Sequence, residues 1–183
     1  MRDEWRVYGK INPQPIQISP MGCHGMYMEL LHVDMLPSKK NVVGESMCLG
    51  LNFKSAPFAH PKTSRSKELI REIVEEVRSH TDLQEIPFTS IPIGHNTHDV
   101  LMHDYLPGSA IIAIGLGEYS GGRVRLEGAK QPLHIRDHAV SFDGAIPFTS
   151  GVFHGDRWSL IFSTHSSWTE TPEAMKRQVI ELG

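Results

Sequence analysis

The sequence predicts a mainly β protein with flanking helices, folded as a double-stranded jelly roll. Two observations carry the β core: between Ser109 and Thr164 short apolar runs alternate with glycine-rich turns, and several of those runs repeat at period two. A third supplies the helices. One amphipathic stripe follows Ser64, and a cap signature stands near the C-terminus.

In chain order, residues 1–45 form an N-terminal extension broken by Pro13, Pro15, Pro20 and Pro37. Within it Met21 to Met35, with Met26, Met28, Leu30 and Leu31, is expected to lay a strand against the core, its methionines serving as packing. The core is expected over 46–168. Ser46 to Phe53 alternates, with Met47, Leu49, Leu51 and Phe53 on one face and Ser46, Cys48, Gly50 and Asn52 on the other, which predicts a strand. Beyond Pro57 and Pro61, Leu69, Ile70, Ile73, Val74 and Val77 form a stripe that predicts a helix over 64–80, capped by Ser64 or Ser66.

Phe88 to Ile93 opens the next strand, and the continuous apolar run Ala110 to Ile114 suits a buried one. Gly121-Gly122 is a turn, after which Val124 and Leu126 alternate with Arg123, Arg125 and Glu127. Ala139 to Phe142 is a strand closed by Asp143-Gly144. A helix over 171–182 follows from Thr171-Pro172-Glu173 as cap, first-turn proline and first-turn acid, with Met175, Val179 and Leu182 on one side.

Composition bounds the function. The chain has 183 residues, is 39% hydrophobic and carries a net charge of −3, as expected of one globular domain spanning 1–183. The densest basic patch, KTSRSK, is better read as a helix entry, so charge does not support a nucleic-acid partner. No apolar run reaches the roughly 18 residues of a membrane span. MRDEW is too charged to begin a signal peptide, and Cys23 and Cys48 show no framework spacing. A soluble cytoplasmic or nuclear protein is expected.

The last strand is the most informative. Side chains alternate along it, so Trp158, Leu160 and Phe162 point one way and Arg157, Ser159, Ile161 and Ser163 the other. An inward arginine requires an anion, because burying an unpaired charge costs several kcal/mol. Period two leaves two partners open: a carboxylate of the fold, such as Asp143 or Asp104, or the carboxylate of a ligand gripped by the guanidinium fork.

EYSGGRVRLEG, VSFDG and HGDRWSLIFST, in that order, resemble the core of the 2-oxoglutarate/Fe(II) dioxygenases. The resemblance is to the branch related to the thymine- and methylcytosine-hydroxylating enzymes and their algal and transposon-linked relatives. It spans about Pro87 to Ser163, with Gly121, Gly122, Phe142, Asp143, Gly144, Pro147, Phe153, Gly155, Arg157, Ser159 and Leu160 at matching positions. It implies 2-oxoglutarate as cofactor, Arg157 as the clamp on its C5 carboxylate and Ser159 as helper.

The family also holds iron with a His-x-Asp pair and a distant histidine. By the same resemblance the carboxylate falls on Asp104, the first histidine on Met102 and the distant one on Phe148. Two of the three Fe(II) ligands are then missing, since phenylalanine cannot coordinate and a thioether suits hard ferrous iron poorly.

Of the 11 histidines, His98, His103 and His154 are the nearest substitutes. His98 shares the parity of Met102 but lies about 13 Å along a strand, and His103 reaches the Asp104 face only through a bulge. His154 occupies a turn. His32-Val33-Asp34 lies far upstream of Ala110 and is expected in an ordinary loop or strand edge; Pro132 argues against a helix that would bring His134 and His138 together, so that pair is expected on the surface.

Two classes of function follow. One is a dioxygenase-like protein with impaired or absent iron-dependent catalysis, using Asp104 and His103 for whatever metal it holds. The other is a non-catalytic binding or assembly module whose Arg157 keeps a small carboxylate. A cupin-like or sugar-binding sandwich, with His95, His98 and His103 in an unrelated pocket, is a flatter alternative.

Overall fold

In the computed structural model, which describes residues 13–32, 44–52, 58–59, 67–79, 88–97, 105–106 and 108–181, the chain opens with β1 (Gln14–Ile16) and α1 (Pro20–Leu30). There follow β2 (Glu45–Asn52), β3 (Phe58–Ala59), α2 (Lys67–Ser79) and β4 (Ser90–His95). The second half supplies β5 (Ala110–Leu116), β6 (Tyr119–Gly121), β7 (Val124–Leu126), β8 (Ala139–Asp143), β9 (Phe148–Ser150), β10 (Phe153–Gly155) and β11 (Trp158–Phe162). A 3-10 turn over Ser166–Glu170 and α3 (Glu173–Ile180) close it.

Seven strands make one antiparallel sheet in the order β1-β8-β5-β11-β4-β2-β3. Two short ribbons, β6 with β10 and β7 with β9, form the second layer of a jelly roll. β5 is buried along its whole length because both faces of the large sheet are covered. Its Ile112, Ile114 and Leu116 join Trp158, Leu160 and Phe162 of β11 in a core closed by Cys23, Met26 and Leu30 of α1 and Ile73, Val74 and Val77 of α2. The alternate residues, Ile111 and Ala113, meet Val124, Leu126, Phe142, Phe148 and Ile161 in a second core inside the barrel.

Most predicted strands stand where the alternation put them. Gly121 and Gly122 both have positive φ, at 78° and 62°, as the turn there requires. Among the described residues, no helix is long and apolar enough to cross a membrane. The helix predicted over 64–80 is described over Lys67–Ser79, so its two candidate caps, Ser64 and Ser66, lie outside the described residues.

Two readings of local structure are corrected. The segment expected as a strand from Met21 is the helix α1: Ser19 caps it by accepting from the Gly22 amide at 3.0 Å, and Pro20 occupies its first turn. Its buried residues are Cys23, Met26 and Leu30, spaced by three and four, while Met21 is 85% exposed. At the C-terminus, Pro172 rather than Thr171 occupies the cap, and the Thr171 hydroxyl instead donates to the Ser167 carbonyl at 2.9 Å.

Candidate functional site

The inward arginine is buried. Arg157, 3% exposed, precedes β11 and faces the barrel interior with Ser159 and Ile161, as their shared parity requires. Its guanidinium lies between two aromatic rings, 5.6 Å from the centroid of Tyr119 and 5.1 Å from that of Phe153. One nitrogen, Nη1, donates to Ser150 Oγ at 2.5 Å, and Nε has no hydrogen-bond partner among the described residues. Burial lowers the pKa of the guanidinium, the cost of holding a cation away from water.

The Tyr119 hydroxyl is buried without a hydrogen bond of ordinary geometry to any described residue. Burial pushes it up to about 12 against the opposing pull of Arg157. Gly122 roofs the arrangement: a Cβ there would stand 3.1 Å from Tyr119, 3.2 Å from Arg157 Nε and 3.2 Å from Phe153. The glycine pair read as a turn therefore also makes room for the guanidinium.

Asp143, one of the two fold carboxylates proposed to pair with Arg157, does not. It is 1% exposed at the end of β8, where its side chain accepts from the Ala145 amide at 2.8 Å. No described carboxylate forms a salt bridge with Arg157. Asp104, Met102, His103 and His98 lie outside the described residues.

Beside the guanidinium is a cavity of about 40 Å³, lined by Thr97, Val124, Ile135, Phe148, Ser150, Arg157, Ser159 and Ile161. It has room for roughly two or three waters, or the oxygens of one carboxylate. Among the described residues, its lining holds three hydroxyls and a cation but no imidazole and no carboxylate. Phe148 is 4% exposed and packs on Phe142 and Tyr105 at ring separations of 5.0 and 5.9 Å, so the position given to the distant histidine belongs to the apolar core. Ser159 donates at 3.4 Å to the Gly94 carbonyl on β4. His154 is exposed on β10.

Period two could not reveal what sets the backbone of Arg157. Asn96 takes a positive φ of 53° and bonds the arginine's main chain twice: its amide donates to the Arg157 carbonyl, and its side-chain oxygen accepts the Arg157 amide, both at 2.8 Å. Asn96 Nδ2 also donates to Asp156 at 3.1 Å. His95, stacked on Trp158 at 4.2 Å, lies 2.7 Å from the other side of that contact at Asp156 Oδ1 and 3.2 Å from Glu45. Burial works against ionisation of Asp156, but the hydrogen bonds from His95 and Asn96 outweigh it and hold the carboxyl below the usual range. These contacts join residues about 60 apart in sequence, and only the Asn and Asp themselves hinted at them.

No family model matches the chain, and no curated protein does. Solved structures do. An oxidoreductase of the 2OG-Fe(II) oxygenase family from Burkholderia pseudomallei superposes with a TM-score of 0.58 at 10% identity, covering 88% of this chain and 91% of that one. NgTET1, solved in complex with 5mC DNA, superposes with a TM-score of 0.58 at 11% identity, covering 92% of this chain and 79% of that one. At such identities the likeness speaks for architecture alone, and on that level it is plain: this chain is built on the jelly-roll fold of the 2OG-Fe(II) oxygenases.

Proposed function

We propose that this barrel binds a small carboxylic acid through Arg157, with 2-oxoglutarate the leading candidate, and that its iron-dependent catalysis is impaired or absent. The observation that carries the reading is the state of Arg157: a buried cation between two rings, with an orphaned Nε and no described carboxylate against it. Such a charge is stable only with an anion, and a carboxylate meets a guanidinium fork with two parallel hydrogen bonds. Ser150 and Ser159 add hydroxyls at the cavity wall. The fold relative from Burkholderia pseudomallei supports 2-oxoglutarate as the acid.

Iron fits the described interior poorly. Phe148 fills the place of one expected ligand with an apolar ring, and among the described residues no three His, Cys, Asp or Glu side chains are placed to hold a metal. The second reading is a binding or assembly module that keeps the carboxylate grip without the oxidation. At a net charge of −3, a polynucleotide substrate is not part of the proposal.

A melting titration with 2-oxoglutarate alone, Mn(II) alone and the two together tests it. The acid alone is expected to raise Tm, Mn(II) to add nothing, and Arg157→Ala to abolish the shift, since a ligand specific to the folded state stabilises it. A saturating rise that requires Mn(II) would show a working metal site and overturn the loss of iron chemistry. No response to the acid would overturn the carboxylate site.

A further inference from the structure

His134 and His138 stand together despite the proline that argued against it. Their rings stack with centroids 5.0 Å apart and planes 28° apart, and His134 Nδ1 lies 3.1 Å from His138 Nε2. No helix is needed. Asp137 takes a positive φ of 56° and reverses the chain, returning His138 to the side of His134.

The turn is held firmly. Gly115 of β5 accepts from the Asp137 amide and donates to the Ile135 carbonyl, both at 2.8 Å. On its inner side Ile135 is 2% exposed and lines the cavity beside Arg157, while Arg136 donates to the Tyr119 carbonyl at 2.7 Å. The two imidazoles face outward from a segment anchored at three points.

We propose that His134 and His138 form a two-imidazole site for a borderline divalent transition metal, Zn²⁺, Ni²⁺ or Cu²⁺, completed by water, which clips this turn from outside. Two imidazole nitrogens bound to one zinc at about 2.0–2.1 Å and a tetrahedral angle stand about 3.3 Å apart. The observed separation of 3.1 Å is close to that, on a backbone that does not have to reorganise. The donor type selects the metal: imidazole suits zinc, nickel and copper, whereas Mn²⁺ and Mg²⁺ prefer oxygen. Arg123 and Arg136 oppose a dication near His134 and Asp137 favours it, so two nitrogen donors give a modest affinity. The site is separate from the carboxylate site and does not depend on it.

The test is Cu²⁺ and Ni²⁺ titration of the full chain by calorimetry, with electron paramagnetic resonance of the copper form. Wild type is expected to bind one equivalent with a two-nitrogen copper signature and a rise in Tm at saturation. His134→Ala and His138→Ala are each expected to weaken binding about tenfold or more through loss of one of the two nitrogen donors. His154→Ala and Arg157→Ala should leave it unchanged. Binding that survives both His134→Ala and His138→Ala, or a copper signature with one nitrogen, would overturn the site. A failed 2-oxoglutarate response with intact copper binding would overturn only the carboxylate reading.

Discussion

Along β11, Trp158, Leu160 and Phe162 turn to one side of the large sheet and Arg157, Ser159 and Ile161 to the other, and the two sides differ in what covers them. The outer side meets α1 and α2, whose buried apolar side chains close a hydrophobic core over it. The inner side meets the short ribbons and keeps a cavity, three hydroxyls and a cation with an orphaned nitrogen. Apolar burial stabilises the fold on both sides in proportion to its area, Ile161 included, whereas burying the Arg157 cation on the inner side carries a desolvation cost. Along one short segment, Leu160 and Arg157 are thus expected to contribute to stability with opposite signs.

The largest test of that contrast is a neighbouring pair of truncations. Leu160 is 0% exposed in the outer core, so Leu160→Ala is expected to cost about 2–5 kcal/mol in urea unfolding. Ser159→Ala, one residue earlier and facing the cavity, removes a single long hydrogen bond and is expected to cost under about 1.5 kcal/mol. Equal losses would break the distinction between the faces.

Next in size is Arg157→Met, which replaces the inner cation with a flexible apolar chain. Without ligand it is expected to stabilise by about 1–4 kcal/mol, because a buried charge with no described carboxylate against it is removed. A loss of several kcal/mol instead would mean that the guanidinium is already neutralised within the protein.

The smallest effect concerns the latch behind the arginine. Asp156 has a lowered pKa, so its ionised form contributes stability above the ordinary carboxylate value of about 3.9 and loses it as pH falls through the lower folded value. Asp156→Asn should therefore melt below wild type near neutral pH, with the gap closing in acid. Because the side chain is 41% exposed, solvent screens the contribution and the difference should be small. A gap that stays constant across the acid range would remove Asp156 from the latch.

Much of the barrel was legible beforehand. The alternation of RWSLIFS separated the two faces of β11, and the unbroken AIIAI run marked the strand covered on both sides. The Met21 segment reads as a strand because apolar letters close together suit a strand as well as a helix, whereas Ser19-Pro20 carries the deciding cap signal in only two residues. Periodicity did not place Tyr119 and Phe153 around Arg157: they reach it from β6 and β10, strands that pair although β7, β8 and β9 lie between them in sequence.

The sequence by itself determined which side chains of each strand share a face, since alternation is a property of the extended backbone and needs no partner. It also determined that an arginine would point inward. Only the tertiary structure decided that Asp143 is turned to its own loop, that the rings of Tyr119 and Phe153 flank the guanidinium, and that one residue with positive φ brings His134 against His138. Those outcomes depend on which distant segments arrive at the same place and on single backbone angles, quantities that no periodicity in the chain encodes.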